Sequence, residues 1–407
     1  MKVCGWHQVV NRKLFIDMAK SKQSLFRRVS NWLHLWLGLI SGIVVFVVCL
    51  TAAIWVFRDE IDFLFTPGQS VIQEEGAQLQ PSELLKHASS VKKDVPSEGA
   101  KGLYGITYRG ADRSAQITYI SSADEKFYDL FVNPYTGEVL HHRSEDNVTK
   151  LHDFLRAGHR FFWLPRPFGS YFVGANCIIF LITLITGLIW WFPTKWTKST
   201  TNKSFKIKWG ANWKRLNIDL HNVLGFYTII FTFILTVTGI VYTFKWFDNS
   251  YHWLVTGGQN RLEVPVTGVS DTTISIASYN RADDEIWKQH QHESKLKLLY
   301  PHEAEDVFVL YINPTTGHND LTTWYAYDQM TLQITGRSHD LGEYTMGQKI
   351  YKANFDIHVG TIGGLTTKII ASIASLIGAS LPITGFIIWY NRKWGKKRPK
   401  KSKSKLA

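Results

Sequence analysis

The segment LHLWLGLISGIVVFVVCLTAAIWVF, residues 33–57, decides the fold because it is long, apolar and free of charged side chains. A helix needs about 20 such residues to cross the hydrocarbon core of a bilayer. Three further runs have comparable length and character, at 171–192, 220–244 and about 361–390. Buried helices of soluble proteins are rarely this long and usually carry a polar stripe. The sequence therefore predicts a polytopic α-helical membrane protein with four transmembrane helices.

The distribution of charge gives the orientation. The net charge is +13, which by itself would also fit a nucleic-acid-binding protein. The basic residues, however, concentrate in three short flanks at 1–31, 193–215 and 391–407, which together hold one acidic residue, Asp17. Short basic flanks stay in the cytoplasm and bind anionic lipid headgroups. We therefore expect a bacterial inner-membrane protein with both termini in the cytoplasm and no nucleic-acid partner.

Combining the apolar runs with the charged flanks divides the chain into nine segments. We expect a cytoplasmic N-terminus at 1–31, a first helix at 32–57, a periplasmic domain at 58–170, a second helix at 171–192, a basic cytoplasmic loop at 193–215, a third helix at 216–244, a second periplasmic domain at 245–360, a fourth helix at 361–390 and a basic cytoplasmic tail at 391–407.

The two halves of the chain share a weak internal repeat. His34 is followed by Gly, Thr and Phe after four, seventeen and twenty-three residues, and His221 is followed by the same residue types at the same distances. Both connecting domains also contain an extended run that leads into an Asn-Pro-x-Thr-Gly turn, at 133–137 and at 313–317. Such runs favour strands joined by a tight turn. We expect two repeated helical hairpins, each with an inserted small α+β periplasmic domain.

Histidines at the ends of the predicted helices are the main candidates for chemistry, since polar groups inside a membrane are costly. His34 and His221 should lie at one depth near the cytoplasm, and His358 should lie near the outer surface with either His152 or His159. Two facing imidazoles can fill both axial positions of a b-type haem, and Gly38 and Gly225 would leave room for the flat ring. Arg27 and Arg28 could pair with its propionates. The alternative is that these histidines only cap helices or join them by hydrogen bonds.

The motifs of nucleotide-binding proteins are missing from the sequence. There is no G-x-G-x-x-G after a strand, no Walker A motif and no C-x-x-C-H for covalent haem attachment. An electron-transfer function would therefore need the quinol pool or a cytoplasmic reductase as the electron donor.

The chain resembles the PepSY-associated transmembrane helix family, which includes iron-regulated inner-membrane proteins and siderophore reductases. The resemblance is carried by four sequence motifs. They are HLWLGL at 34–39 with DEID at 59–62, LHDFLRAG at 151–158, DLHNVLG at 219–225 and IHVG at 357–360.

The resemblance implies one or two haems b held by His34, His221, His358 and one of His152 and His159, with electrons passing to a periplasmic Fe(III)-siderophore to release Fe(II). His159 is the better match in spacing, because its separation from Thr186 is closer to the separation of His358 from Thr384. His152 matches the family motif, and on that ground it is the favoured ligand. Two other functions stay open. One is a regulatory module whose PepSY-like domains inhibit a peptidase or sense an envelope ligand, and the other is a permease for the ferric complex.

Overall fold

The computed structural model describes residues 24–73, 76–92, 95, 102–121, 124–144, 146–262, 270, 282–293, 295–313 and 318–395. Four helical stretches in this part of the chain are long and apolar enough to cross a membrane: Leu25–Trp55, Phe168–Trp191, Trp213–Ile240 and Thr361–Trp394. They contain the four predicted apolar runs almost completely. The basic segments at 1–23 and 396–407 lie outside the described residues.

The helices and strands are numbered along the chain. The helices are α1 (Leu25–Trp55), α2 (Arg58–Phe65), α3 (Pro81–Val91), α4 (Asn147–Phe161), α5 (Phe168–Trp191), α6 (Lys198–Phe205), α7 (Trp213–Asp219), α8 (Gly225–Ile240), α9 (Lys245–Thr256), α10 (Ala282–His290), α11 (Met346–Lys352), α12 (Asn354–Val359) and α13 (Gly364–Trp394). The strands are β1 (Leu103–Tyr108), β2 (Ala115–Ile120), β3 (Phe127–Val132), β4 (Val139–Arg143), β5 (Leu296–Leu299), β6 (Phe308–Ile312), β7 (Thr323–Tyr327) and β8 (Ile334–Arg337).

The third long stretch is not a uniform α-helix. A π-helical turn, Leu220–Leu224, joins α7 to α8 and contains His221. A π-turn holds one more residue than an α-helical turn, so it rotates the side chains that follow, and such turns are frequent at functional sites.

The described residues form two compact units, whose boundaries fall inside the long helices. The first unit comprises residues 1–46, 175–233 and 377–407. Within it, Arg27 donates hydrogen bonds to the carbonyls of Trp190 and Phe192, at 3.4 and 2.7 Å. These carbonyls belong to the last turn of α5 and the residue after it, where a helix has no backbone donors of its own.

The second unit comprises residues 47–174 and 234–376 and contains an antiparallel sheet of eight strands in the order β4-β3-β2-β1-β5-β6-β7-β8. The sequence predicts two separate small domains, but β1 of the first insertion pairs with β5 of the second, with Ile106 opposite Leu298. The helices α3 and α10 contribute to one shared core, in which Leu84, Ile106 and Ile286 are fully buried. The two insertions therefore fold as one sheet around one core, because each four-stranded half leaves a central strand edge that the other half pairs.

The Asn-Pro-x-Thr-Gly turn of the first insertion joins β3 to β4. The Asn133 side chain accepts hydrogen bonds from the backbone N–H of Tyr135 and Thr136, and Gly137 has a φ of 75°, which favours glycine. In the second insertion, residues 314–317 of the corresponding turn lie outside the described residues.

Candidate functional site

Two histidine pairs are the main polar feature of the helices. In the first unit, His34 of α1 faces His221 of the π-turn, with ring centres 6.3 Å apart. In the second unit, His159 of α4 faces His358 of α12, with ring centres 6.0 Å apart. An imidazole nitrogen binds a metal ion at about 2 Å and lies roughly 1 Å from the centre of its own ring. Two imidazoles that share one metal ion from opposite directions therefore have ring centres about 6 Å apart. The spacing of the ring centres in both pairs is compatible with one metal ion between the two imidazoles.

A helix backbone holds His34 in position. Its Nδ1 lies 3.0 Å from the carbonyl oxygen of Thr183 in α5, so this nitrogen carries the proton and donates it. The ring also packs against Gly187, where a Cβ atom would lie 2.9 Å from Cε1 of His34. Because Nδ1 is the donor, Nε2 of His34 carries the lone pair that a metal ion would need.

His221 has the equivalent arrangement with α13. Its Nδ1 lies 2.8 Å from Oγ1 of Thr384. The Thr384 hydroxyl lies within hydrogen-bond distance of the carbonyls of Ser380 and Leu381, and when it donates to them it accepts from His221. A Cβ atom at Gly385 would lie 3.2 Å from Cε1 of this ring. The lone pair of His221 is therefore on Nε2 as well.

The second pair uses the same contacts. Nδ1 of His159 lies 3.0 Å from the carbonyl of Val48 in α1, and Nδ1 of His358 lies 3.0 Å from the carbonyl of Leu235 in α8. His358 also packs on Gly239, where a Cβ atom would lie 2.8 Å from Cε1. Val48 follows His34 by fourteen residues and Leu235 follows His221 by fourteen, so the two acceptors occupy matching places in the predicted repeat.

The structure brings His159, rather than the favoured His152, to His358. His152 instead packs edge-on against Trp55, with ring centres 5.7 Å apart. Its Nε2 is buried and has no hydrogen-bond partner among the described residues. The two histidines are seven residues apart in α4 and therefore lie two turns apart on one helix face. The sequence motif selects His152, which is not the one beside His358.

A cavity of about 310 Å³ adjoins the first pair. Ligand pockets in proteins begin at about this size. Gly38 and Gly225, which the sequence singled out as making room, both line it, as do both histidines. The side chains that give the cavity its aromatic wall are Phe180, Trp190, Trp191, Phe226, Phe386 and Trp389.

Two cations at this cavity were not predicted. Arg392 and Lys203 line it, whereas Arg27, a predicted partner of haem propionates, donates to carbonyls at the end of α5. The Arg392 guanidinium lies 5.3 Å from the centre of the Trp190 ring. Both residues belong to basic flanks that the sequence assigns to lipid headgroups, so no local signal distinguished them from their neighbours.

The ligand set matches a prosthetic group better than a bare metal ion. Among the described residues, no group of three or more His, Cys, Asp or Glu side chains could hold an ion. Protein sites for bare transition metals use three or four such ligands, whereas haem iron needs only axial ligands from the protein. Two neutral imidazoles with fixed tautomers fit that requirement at each site.

These features define a membrane-embedded protein with a four-helix region, an α+β sheet region and partly buried histidine pairs. The family model for the PepSY-associated TM region matches residues 31–392, nearly the whole chain, and the protein belongs to that family. A comparison with curated protein sequences finds no match.

Proposed function

We propose that this protein is an inner-membrane haem b oxidoreductase that passes electrons across the membrane to a periplasmic Fe(III)-siderophore and releases Fe(II). The observation that carries the proposal is shared by four histidines. In each, Nδ1 is positioned to donate to a carbonyl or hydroxyl on a neighbouring helix, which leaves Nε2 as the lone-pair nitrogen within each pair. A histidine that ligates metal almost always donates its other ring proton in this way.

The residues of the chain would orient and insulate the prosthetic group. Bound haem supplies one-electron chemistry, with a potential set by its axial ligands, burial and hydrogen bonding. His34 and His221 would hold one haem, and His159 and His358 a second. Gly187, Gly239 and Gly385 let the rings approach the helix backbones closely. Arg392 and Lys203 would pair with propionates at the cavity of the first unit.

Features of the sequence support the proposed orientation and reaction partners. The basic flanks support cytoplasmic termini, and the missing nucleotide motifs support a quinol or a reductase as electron donor. The resemblance to siderophore reductases supports a ferric chelate as acceptor. One electron reduces Fe(III) to Fe(II), which siderophores hold less tightly.

Haem stoichiometry tests the proposal most directly. The purified protein, expressed with an adequate haem supply, should show a Soret band and two haems per chain. His159→Ala should lose about one haem, and His152→Ala, the matched control on the same helix face, should keep both. A wild-type protein without a Soret band would contradict the whole proposal, while loss of haem in His152→Ala alone would reassign the ligand.

The two alternative functions predict different outcomes. A regulatory PepSY module would keep its activity in the His34→Ala and His221→Ala variants, because its function would not use the histidines. A permease would carry labelled ferric siderophore into vesicles without any reductant. The reductase requires reductant for iron release and loses activity in both histidine variants.

A further inference from the structure

Four cations lie together where the two insertions meet in the sheet. The register of β1 and β5 places Thr107 opposite Lys297 and Tyr108 opposite Leu296. Arg109 and Lys295 are the next residues beyond this pairing, and the charge of Arg109 acts on Lys295. Arg113 follows in the connection to β2, with its guanidinium 4.0 Å from the centre of the Phe63 ring. We call Arg109, Arg113, Lys295 and Lys297 the seam cations.

Three of the seam cations, Arg109, Lys295 and Lys297, lie on the sheet face opposite to the core. Side chains alternate between the two faces of a strand, and the intervening Tyr108, Leu296 and Leu298 are buried in the core. Lys297 lies within the sheet and approaches the ring of Tyr104, with Nζ 5.8 Å from the ring centre. Arg109 and Lys295 therefore share one polar face with Lys297, beside an aromatic ring.

Two carboxylates whose charges act on Arg109, those of Asp62 and Asp129, are already paired with another residue. Arg143 forms ion pairs with Asp62 and Asp129, at 2.5 and 2.7 Å. Arg109 donates instead to the neutral Gln69 side chain, at 3.0 Å, and to Ser114. Within the described residues, none of the four seam cations has a carboxylate within 4.0 Å.

This arrangement is unfavourable without a ligand. Neighbouring like charges in a sheet are destabilising, and buried charges are normally paired. Arg109, Arg113 and Lys295 are only partly exposed. Burial lowers the pKa of Lys295, and the charges of Arg109, Lys297 and Arg113 lower it further against the effect of Asp59. Burial and Arg113 likewise lower the pKa of Arg109 to about 10.

We infer that the seam cations form a binding site for an anionic chelate of a trivalent metal, one with ionised carboxylate or similar oxygen groups. The aromatic ring of Tyr104 and the Thr107 hydroxyl at the same seam suit the carbon skeleton and hydroxyls of such a ligand. The anionic character of the ligand follows from the seam cations, and the choice of a trivalent-metal chelate, with Fe(III) as the natural metal, rests on the proposed reductase function.

Ga(III)-citrate, a redox-inert probe, tests binding at the seam cations independently of the proposed reductase activity. Calorimetric titration of full-length protein in zwitterionic nanodiscs with Ga(III)-citrate measures binding without any electron transfer. We expect saturable binding that weakens with salt. Lys295→Gln and Arg113→Gln should each weaken it about tenfold or more, the effect of losing a charge-assisted contact. Lys295→Arg should stay close to wild type.

The matched control is Lys288→Gln. Lys288 is exposed on α10, on the core side of the sheet, and pairs with Glu285 at 3.0 Å, so its loss should leave binding unchanged. No binding by the wild type, or equal weakening by the control, would overturn the site. Competition by phosphatidylglycerol in the nanodiscs would also overturn it, because the anion would then be a lipid headgroup.

The melting temperature of each ligand-free variant shows whether weaker binding results from misfolding. Because the charge of Arg109 acts on Lys295, the ligand-free Lys295→Gln protein should melt at or above the wild-type temperature while it binds Ga(III)-citrate less tightly. A lower melting temperature would mean that Lys295 stabilises the sheet, and would count against a ligand site. A protein that binds Ga(III)-citrate but contains no haem would support this site and refute the reductase proposal. A protein that contains haem but does not bind Ga(III)-citrate would refute this site and leave the reductase proposal standing.

Discussion

Single glycines control how closely the histidine rings approach their neighbouring helices. Gly187→Ala would place a Cβ atom 2.9 Å from Cε1 of His34, too close for the ring to stay in position. We expect the variant to displace His34 from the Thr183 carbonyl and to lower haem occupancy at the first pair several-fold, measured from the Soret absorbance per chain. The control is Gly210→Ala, where no heavy atom lies within 4 Å of the added Cβ. Full occupancy in Gly187→Ala would show that the close approach is not needed.

A buried carboxyl group should make the sheet region sensitive to pH. Burial raises the pKa of Asp283 to about 6, and Tyr300 donates a hydrogen bond to it at 2.7 Å. Since the folded pKa lies above the unfolded value, the stability this group provides is present below about pH 4 and is lost as the pH rises to about 6.

Asp283→Asn should remove that pH dependence, because the amide cannot ionise and can still bond Tyr300. At pH 8 the variant should be more stable than the wild type by up to about 3 kcal/mol, and at pH 4 the two should be nearly equal. Hydrogen exchange of the β5 amides, compared between variant and wild type at each pH, measures the difference. A gain that is the same at both pH values would point to a change in packing rather than ionisation.

At the scale of elements, the seam between β1 and β5 makes the two insertions one cooperative unit. Ile286 of α10 is fully buried in the shared core, and Ile286→Ala should cost about 2–5 kcal/mol. We expect faster hydrogen exchange in β2 and β3 of the first insertion as well as in β5 and β6. Ile334→Ala on the edge strand β8, where the side chain is 52% exposed, should leave β2 and β3 unchanged. Two independent domains would confine the effect of Ile286→Ala to the second insertion.

The sequence predicted the long helices but not the seam between β1 and β5. The long helices could be predicted from the sequence, because an apolar run of about 20 residues is typical of a membrane-spanning helix. The His34 and His221 pair followed from matched spacings. The pairing of β1 with β5 joins strands almost 200 residues apart. It is made by backbone hydrogen bonds, which do not depend on a particular pattern of side chains, so the sequence did not predict it. The motif favoured His152, whereas the spacing favoured His159, which is the histidine that the structure places beside His358.

At the scale of the whole molecule, the two histidine pairs belong to different compact units, so each should bind its haem independently. The double variant His34→Ala/His221→Ala should keep the haem held by His159 and His358, with about half the wild-type haem per chain. The proposed function uses both haems for electron transfer across the membrane, so the transfer should nevertheless fall to background in this variant.

Proteoliposomes can measure both properties on one sample. A reductant enclosed in the vesicles and a ferric chelate outside give the transfer rate from the appearance of Fe(II), and the Soret absorbance gives the haem content. His159→Ala/His358→Ala, with the complementary haem retained, should fail equally, and His152→Ala is the control that should transfer electrons at the wild-type rate. If either double variant still reduced the external chelate, one haem alone would be sufficient, and the other pair would have to serve a different purpose.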